Sequence, residues 1–278
     1  MKVSQFSKFI VVCLFAGVLS CTGKQNGSGT GSMDEYTLVW SDEFDYTGLP
    51  DPEKWSFDTE GNAWNWGNYE EQHYTSRRLE NAEVKDGTLH IRALLEEQEG
   101  KQYTSARLIT KGKGDWLYGK FEISARLPRG RGLWPAIWML PSDWEYGSWP
   151  ASGEIDIMEN VGYMGDTILA TVHTKSYNHS IHTQRGDSIV LPGCHDRFHV
   201  YQLEWEPHQI RAFVDGEHFF TFQNENTSPG EWPFDKPFHL LLNVAVGGSW
   251  GGMNGIDDTI FPQAMEVDYV RVYQKKNK

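Results

Sequence analysis

The sequence predicts an all-β fold, a sandwich of two antiparallel sheets packed face to face, and three observations carry that expectation. Short runs of alternating apolar and polar residues recur along the chain, each bounded by turn residues. No helical period is sustained over three turns in the body of the chain. Two Asp-Gly dipeptides, Asp86-Gly87 and Asp215-Gly216, stand between such runs, and this pair readily takes the positive φ values of a tight hairpin turn.

The chain opens differently. Lys2 and Lys8 precede an apolar run from Phe9 to Leu19, then Ser20 and Cys21, which is the layout of a secretory leader; the run is too short to span a bilayer. Val18-Leu19-Ser20-Cys21 resembles the lipobox cut before cysteine in bacterial lipoproteins. Residues 1–20 are therefore read as a lipoprotein signal peptide and Cys21 as the lipidated residue, with a plain leader and an incidental cysteine as the alternative. The expected location is the bacterial cell envelope, lipid-anchored in the outer membrane on its surface or periplasmic face. Cys13 leaves with the leader and Cys21 carries lipid, so Cys194 has no partner and no disulfide is expected. Thr22 to Ser32 reads TGKQNGSGTGS, a flexible coil, so residues 21–33 form a tether and 34–278 is expected to fold as one domain.

Within that domain, Glu83-Val84-Lys85 and Thr88 to Arg92 flank the first Asp-Gly turn, and Gln209 to Val214 and His218-Phe219-Phe220 flank the second. Gly119 to Leu127, His199 to Trp205 and Met265 to Tyr273 alternate as strands do, and no internal linker divides them. A net charge of −13 and a pI near 5.2 argue against nucleic acid as a partner, since no Lys/Arg cluster makes an electrostatic footprint. The membrane is expected to be met only through lipid, and a monomer is expected. Aromatic residues make up 14% of the chain, a composition suited to stacking on a neutral sugar polymer as well as to core burial.

The candidate chemistry lies in Glu154-Ile155-Asp156-Ile157-Met158-Glu159. In a regular strand Glu154 and Asp156 share one face and Glu159 points to the other. A β-bulge after Asp156 inserts one residue and returns Glu159 to the face of the first two acids. With four effective steps of roughly 3.3 Å the glutamate Cα atoms stand about 13 Å apart, and inward-leaning side chains leave about 5 Å between carboxyls, the spacing of retaining glycosidases. One ionised carboxylate then attacks the anomeric carbon while a protonated one donates to the departing oxygen. Crowding raises the apparent pKa of at least one of the acids, and Asp156 between them is placed to tune both. A solvated acidic strand edge is the bland alternative; the apolar Ile155 and Ile157 opposite and the flanks Trp149 to Gly153 and Asn160-Val161-Gly162 speak against it.

At these residues the sequence resembles glycoside hydrolase family 16, in its laminarinase-like branch. Trp40 to Asp45 resembles the family's opening strand, Gly132 to Leu140 the strand before the catalytic one, and Phe261-Pro262-Gln263 with Val267 to Tyr273 its ending. The resemblance implies a curved β-jelly roll, with Glu154 as nucleophile, Asp156 as its electrostatic helper and Glu159 as general acid/base. Non-bulged lichenases and xyloglucan enzymes of the family lack the extra residue after the aspartate, so the branch implies an endo-acting β-1,3- or β-1,3-1,4-glucanase taking laminarin or mixed-linkage glucan. Galactan hydrolases with a similar cluster and a non-catalytic glycan-binding lipoprotein are the alternatives.

The same resemblance places Trp134 and Trp149 as sugar-stacking platforms, Asn68, Arg107 and His173 as polar groove residues, and Trp250 on a loop at one end of the groove; Trp64-Asn65-Trp66 extends the groove on the glycone side. Trp138, four residues after Trp134, is read as core because Pro135 interrupts regular alternation. No cofactor is expected for catalysis. A structural calcium is implied at Glu43, the carbonyl of Gly87 and Asp268, a set of hard oxygen donors. His195 and His199 have the spacing of zinc ligands on a helix, but no helix is predicted there, so they and His179 and His182 are read as surface or packing residues.

Overall fold

The structure, a computed structural model, describes residues 35–62 and 64–276. The leader, Cys21 and the tether lie outside the described residues. The strands are β1 (Tyr36–Asp42), β2 (Ser56–Phe57), β3 (Gln72–Tyr74), β4 (Ala82–Lys85), β5 (Thr88–Gln98), β6 (Lys101–Ser105), β7 (Arg107–Ile109), β8 (Asp115–Trp116) and β9 (Gly119–Arg126). They continue with β10 (Leu133–Pro141), β11 (Glu154–Glu159), β12 (Thr167–His173), β13 (Arg185–Val190), β14 (His199–Glu206), β15 (Gln209–Val214), β16 (Glu217–Gln223), β17 (Phe238–Val246) and β18 (Gln263–Lys275).

Both Asp-Gly turns close the expected hairpins. Asp86 and Gly87 have φ of 52° and 78°, and Asp215 and Gly216 have φ of 51° and 80°. Positive φ at both central positions is the turn whose twist matches the flanking strands. These hairpins are β4–β5 and β15–β16.

Two sheets result. One runs β16-β15-β14-β9-β18-β5-β6-β3, with β1 on β18 and β4 on β5; the other runs β13-β12-β11-β10-β17-β7-β2, with β8 on β17. Pairing among the described strands is antiparallel except between β3 and β6. Between the sheets lies a continuous core that includes Phe121, Ile123 and Val270 from the first and Ile137, Ile155, Val172 and Leu242 from the second. At roughly 25 cal/mol per Å² of apolar surface, burial of this kind is what holds two sheets together against the entropy of ordering the chain.

The second sheet carries the site. Its central strand β17 is buried at every residue, so the face turned away from the core is itself covered at Leu241, Asn243 and Ala245. β10 pairs with β17 without interruption over its whole length, Leu133 opposite Val246 through Pro141 opposite Phe238. Pro135 therefore leaves the alternation regular, and Trp134 and Trp138 share a face.

Candidate active site

Entry to β11 is set by Gly153, whose φ of 89° and whose neighbour Pro233, 2.8 Å from where a Cβ would stand, exclude any side chain. The strand then carries the bulge. Against β10, Trp138 pairs with Asp156 and Ile137 with Met158; against β12, Asp156 pairs with Thr171 and Glu159 with Leu169. Ile157 and Met158 thus stand against one residue, and both lie in the core, while Glu154, Asp156 and Glu159 all face away from it. The extra residue required by the spacing is present at that point.

The three acids are only slightly exposed. Their side chains keep little water, Glu154 most at 16%. Burial pushes the carboxyl of Glu154 up to about 8, with the charge of Glu159 adding to the rise; the Trp149 indole and Arg107 act the other way. Burial likewise pushes Glu159 up to about 7, opposed by the Trp134 indole. Asp156 is raised by burial and then by both glutamates. The protons belong to the cluster, and its members are told apart by their partners. Glu154 is the acid favoured in its charged form by two neighbours, Trp149 and Arg107, whereas Glu159 has the Trp134 indole alone.

Those indole contacts are direct. Trp149 Nε1 donates to Oε2 of Glu154 at 3.0 Å, and Trp134 Nε1 donates to Oε1 of Glu159 at 3.0 Å. His173, opposite Glu154 on β12, sets Nε2 at 3.4 Å from Asp156 Oδ2 and 3.7 Å from Glu154 Oε1. Burial, then the nearby His179, hold this imidazole down to about 3, so it stays neutral beside the acids.

A family model for glycosyl hydrolases family 16 matches residues 62–271. The chain belongs to this family. It is 57% identical over 246 residues to a β-glucanase of Rhodothermus marinus, covering 86% of this chain and 85% of that one. The X-ray structure of the laminarinase from Rhodothermus marinus superposes with a TM-score of 0.85 at 55% identity, over 87% of this chain and 98% of that one. SCLam, a non-specific endo-β-1,3(4)-glucanase, superposes with a TM-score of 0.83 at 46% identity, over 87% and 92% of the two chains.

The remaining residues expected at this family 16 site are brought to the same face. Arg107 on β7 is buried, ion-paired with Asp58 at 3.0 Å, and held between the rings of Trp66 and Trp138, each centroid 4.7 Å from its guanidinium. Trp138 is thus not a core residue. Its ring is half-buried on the face of the acids, and its Nε1 donates to Asn243 Oδ1 at 2.7 Å. A buried relay continues from there: Asn243 Nδ2 donates to Tyr74 Oη at 3.0 Å, and Tyr74 Oη donates to Glu70 Oε2 at 3.2 Å, which also accepts from Gln72 Nε2 at 2.6 Å. Tyr74, Glu70, Gln72 and Asn243 escaped the sequence-based expectations, although Glu70 stands only two residues after Asn68.

Asn68 sits in the irregular turn Asn65–Tyr69, where Trp66 and Gly67 take positive φ. Its carbonyl accepts from Ser249 N at 2.7 Å, tying this turn to the Gly-rich loop that carries Trp250. A Cβ on Gly248 would stand 2.8 Å from that carbonyl, so only glycine allows the approach. Trp250 is half-buried and meets Trp134 edge-on at 5.1 Å. His179, read as a surface or packing residue, lies beside the site, 4.9 Å from Trp149 and 5.2 Å from His173 between ring centroids.

The expected calcium donors stand around β18: Asp42 pairs with Val270, and Leu89, two residues past Gly87, with Val267. The set is not an open cage. Both carboxylate oxygens of Glu43 accept from Arg271, at 3.0 and 2.7 Å, and Asp268 accepts from Ser124 at 3.2 Å. His195 and His199 turn to different partners: His199 Nδ1 meets Asp215 at 2.6 Å and His195 Nε2 faces Asp166 at 3.6 Å.

Proposed function

We propose that this protein is a retaining endo-β-glucanase that hydrolyses internal β-1,3 or β-1,4 linkages of laminarin or mixed-linkage β-1,3-1,4-glucan. The observation that carries the reading is the bulge at Ile157-Met158, which sets Glu154, Asp156 and Glu159 on one face with an indole N–H on each glutamate. The β-glucanase and laminarinase of Rhodothermus marinus and the non-specific glucanase SCLam, to which the chain is similar, point to the same substrate class.

The chemistry follows from the partners. Trp149 and Arg107 favour the charged form of Glu154, which attacks the anomeric carbon as the bond to the leaving sugar breaks. Burial and mutual repulsion keep a proton within the cluster near neutral pH, and Glu159, with fewer neighbours favouring its charged form, holds that proton and gives it to the departing oxygen. Asp156 and the neutral imidazole of His173 stand beside the nucleophile, His173 Nε2 3.7 Å from Glu154 Oε1 and 3.4 Å from Asp156 Oδ2. Formation of the glycosyl ester removes the charge of Glu154, and Glu159, now ionised, takes a proton from the water that attacks the same carbon and releases Glu154. Two displacements return the β configuration.

Glu154→Gln is expected to abolish release of reducing ends from laminarin and mixed-linkage glucan while the fold is retained; unchanged activity would overturn the nucleophile role. Proton NMR of the first product formed should show the β anomer. Products from laminarin, mixed-linkage glucan and agarose, run side by side, separate the glucanase reading from a galactan hydrolase. Binding of glucan by the wild-type protein without new reducing ends would favour a glycan-binding protein instead.

Three further readings belong to this proposal. Lipid attachment at Cys21 in the outer membrane is tested by fatty-acid labelling that Cys21→Ala removes. A monomer is tested by sedimentation. Calcium at Glu43, Gly87 and Asp268 requires Arg271 to release Glu43, and is tested by a calcium-dependent rise in Tm that Asp268→Asn removes.

A further inference from the structure

We propose that Asp166, Cys194 and His195 form a binding site for a divalent cation of the zinc class, separate from the carboxylate site. The loop between β13 and β14 folds back over the turn that leads into β12, where Leu191 N donates to Asp166 O at 2.8 Å and Leu127 N donates to Cys194 O at 2.9 Å. These bonds bring three different ligand atoms together. Cys194 Sγ lies 3.9 Å from Asp166 Oδ1, His195 Nε2 lies 3.6 Å from the same oxygen, and all three ligand atoms fall within 4.8 Å of one another.

Those separations match a tetrahedral site. Metal–ligand bonds of about 2.3 Å to sulfur, about 2.0–2.1 Å to imidazole and about 2.0–2.2 Å to carboxylate make edges of about 3.4 Å for N–O and 3.6 Å for S–O. The two edges that meet at Asp166 need to shorten by only about 0.2–0.3 Å, the sulfur–nitrogen edge, which lies within 4.8 Å, closes to about 3.6 Å, and a fourth position remains for water. Access comes from one side: Cys194 is fully buried and the His195 side chain is 4% exposed, while Asp166 is 41% exposed.

Independent features point to a ligand here. His195 is almost wholly buried, and its Nε2, the nitrogen turned to Asp166, stands at 3.6 Å, beyond hydrogen-bond distance. The hydroxyl of Tyr201 is buried without a hydrogen-bond partner, and the charge of Cys194 acts on it. Arg129, whose charge acts on Cys194, spends its guanidinium on Asp196, at 3.0 Å to both oxygens. Asp166 is paired with no lysine or arginine among the described residues. The metal–sulfur bond forms as the thiol proton leaves to solvent, so affinity rises with pH.

Cobalt(II) titration of the full chain, without a histidine tag, tests the site. One equivalent is expected to raise a thiolate-to-cobalt charge-transfer band in the near ultraviolet, discharged by zinc, and zinc is expected to raise Tm because it binds the folded chain. Cys194→Ser is expected to remove the band, and Asp166→Asn, a near-isosteric change at a partly exposed side chain, to weaken binding at least about tenfold, since loss of even an outer-shell partner has such effects. Glucan hydrolysis is expected to be unchanged in both variants. Absence of the band, its survival in Cys194→Ser through Cys13 or Cys21, or unaltered affinity in Asp166→Asn overturns the proposal.

Discussion

Trp134 Nε1 donates to Glu159 Oε1 at 3.0 Å, so the residue expected to stack on sugar also acts on the charge of the proposed acid/base. The indole favours the carboxylate form. Trp134→Phe keeps an aromatic ring and deletes the donor, so the carboxyl of Glu159 is expected to hold its proton to higher pH. The alkaline limb of the kcat/KM profile should move upward, with a loss of about tenfold in kcat, the scale of one charge-assisted hydrogen bond. A pH profile on laminarin checks both.

Removing the proposed proton donor outright has a leaving-group signature. Glu159→Gln is expected to cost about 10²–10⁴-fold on a glucan, the range typical of general acid catalysis. With an aryl glucoside whose phenolate departs unaided, the first displacement should proceed and the glycosyl ester should accumulate. Mass spectrometry of the quenched protein should show an adduct of the sugar's mass.

The acids are held against their own stability, and the sign can be worked out. Glu154 and Glu159 have native values raised from 4.5 to about 8 and about 7, so between those limits the native state binds more protons than the unfolded one. Stability then falls as pH rises through that window. His173 works in the opposite sense: its native value is lowered from 6.5 to about 3, so its contribution is lost as pH falls through that range. Glu159→Gln is therefore expected to have a higher Tm than the wild type near pH 8, with the gap closing toward pH 5. Calorimetry at the two pH values decides it.

The relay behind Trp138 should behave as a buried network. Asn243→Leu leaves the Trp138 indole without its acceptor and removes the donor to Tyr74 Oη, which keeps only Glu70, and an unsatisfied buried group costs about 1–3 kcal/mol. Denaturant unfolding should report a loss of that size or somewhat more. KM for glucan is expected to rise more than kcat falls, because the relay orients Trp138 and Arg107 and touches none of the three acids.

Much of this molecule was legible in its sequence because it rests on local rules. Alternation named β4, β5, β9, β14, β15, β16 and β18 but not β2, β3, β6, β7, β8, β12, β13 or β17; Asp-Gly placed two hairpins, and the period of a strand was enough to show that Glu154 and Glu159 could face one groove only through a bulge. The opposite outcome met Trp138, assigned to the core on the strength of Pro135; the uninterrupted pairing of β10 with β17 kept the alternation and turned the ring outward. Its partner Asn243 lies 105 residues away, and Tyr74 a further 169 from Asn243 in the other direction. His195 shows the same limit, matched by spacing to His199 and by the fold to Asp166 and Cys194. Strand period, turn chemistry and the spacing of the acids are set by neighbours along the chain, so the sequence alone determined them. Which indole meets which carboxylate, and which buried polar groups are joined, depends on register between strands far apart in the chain, and only tertiary packing selects one register among many.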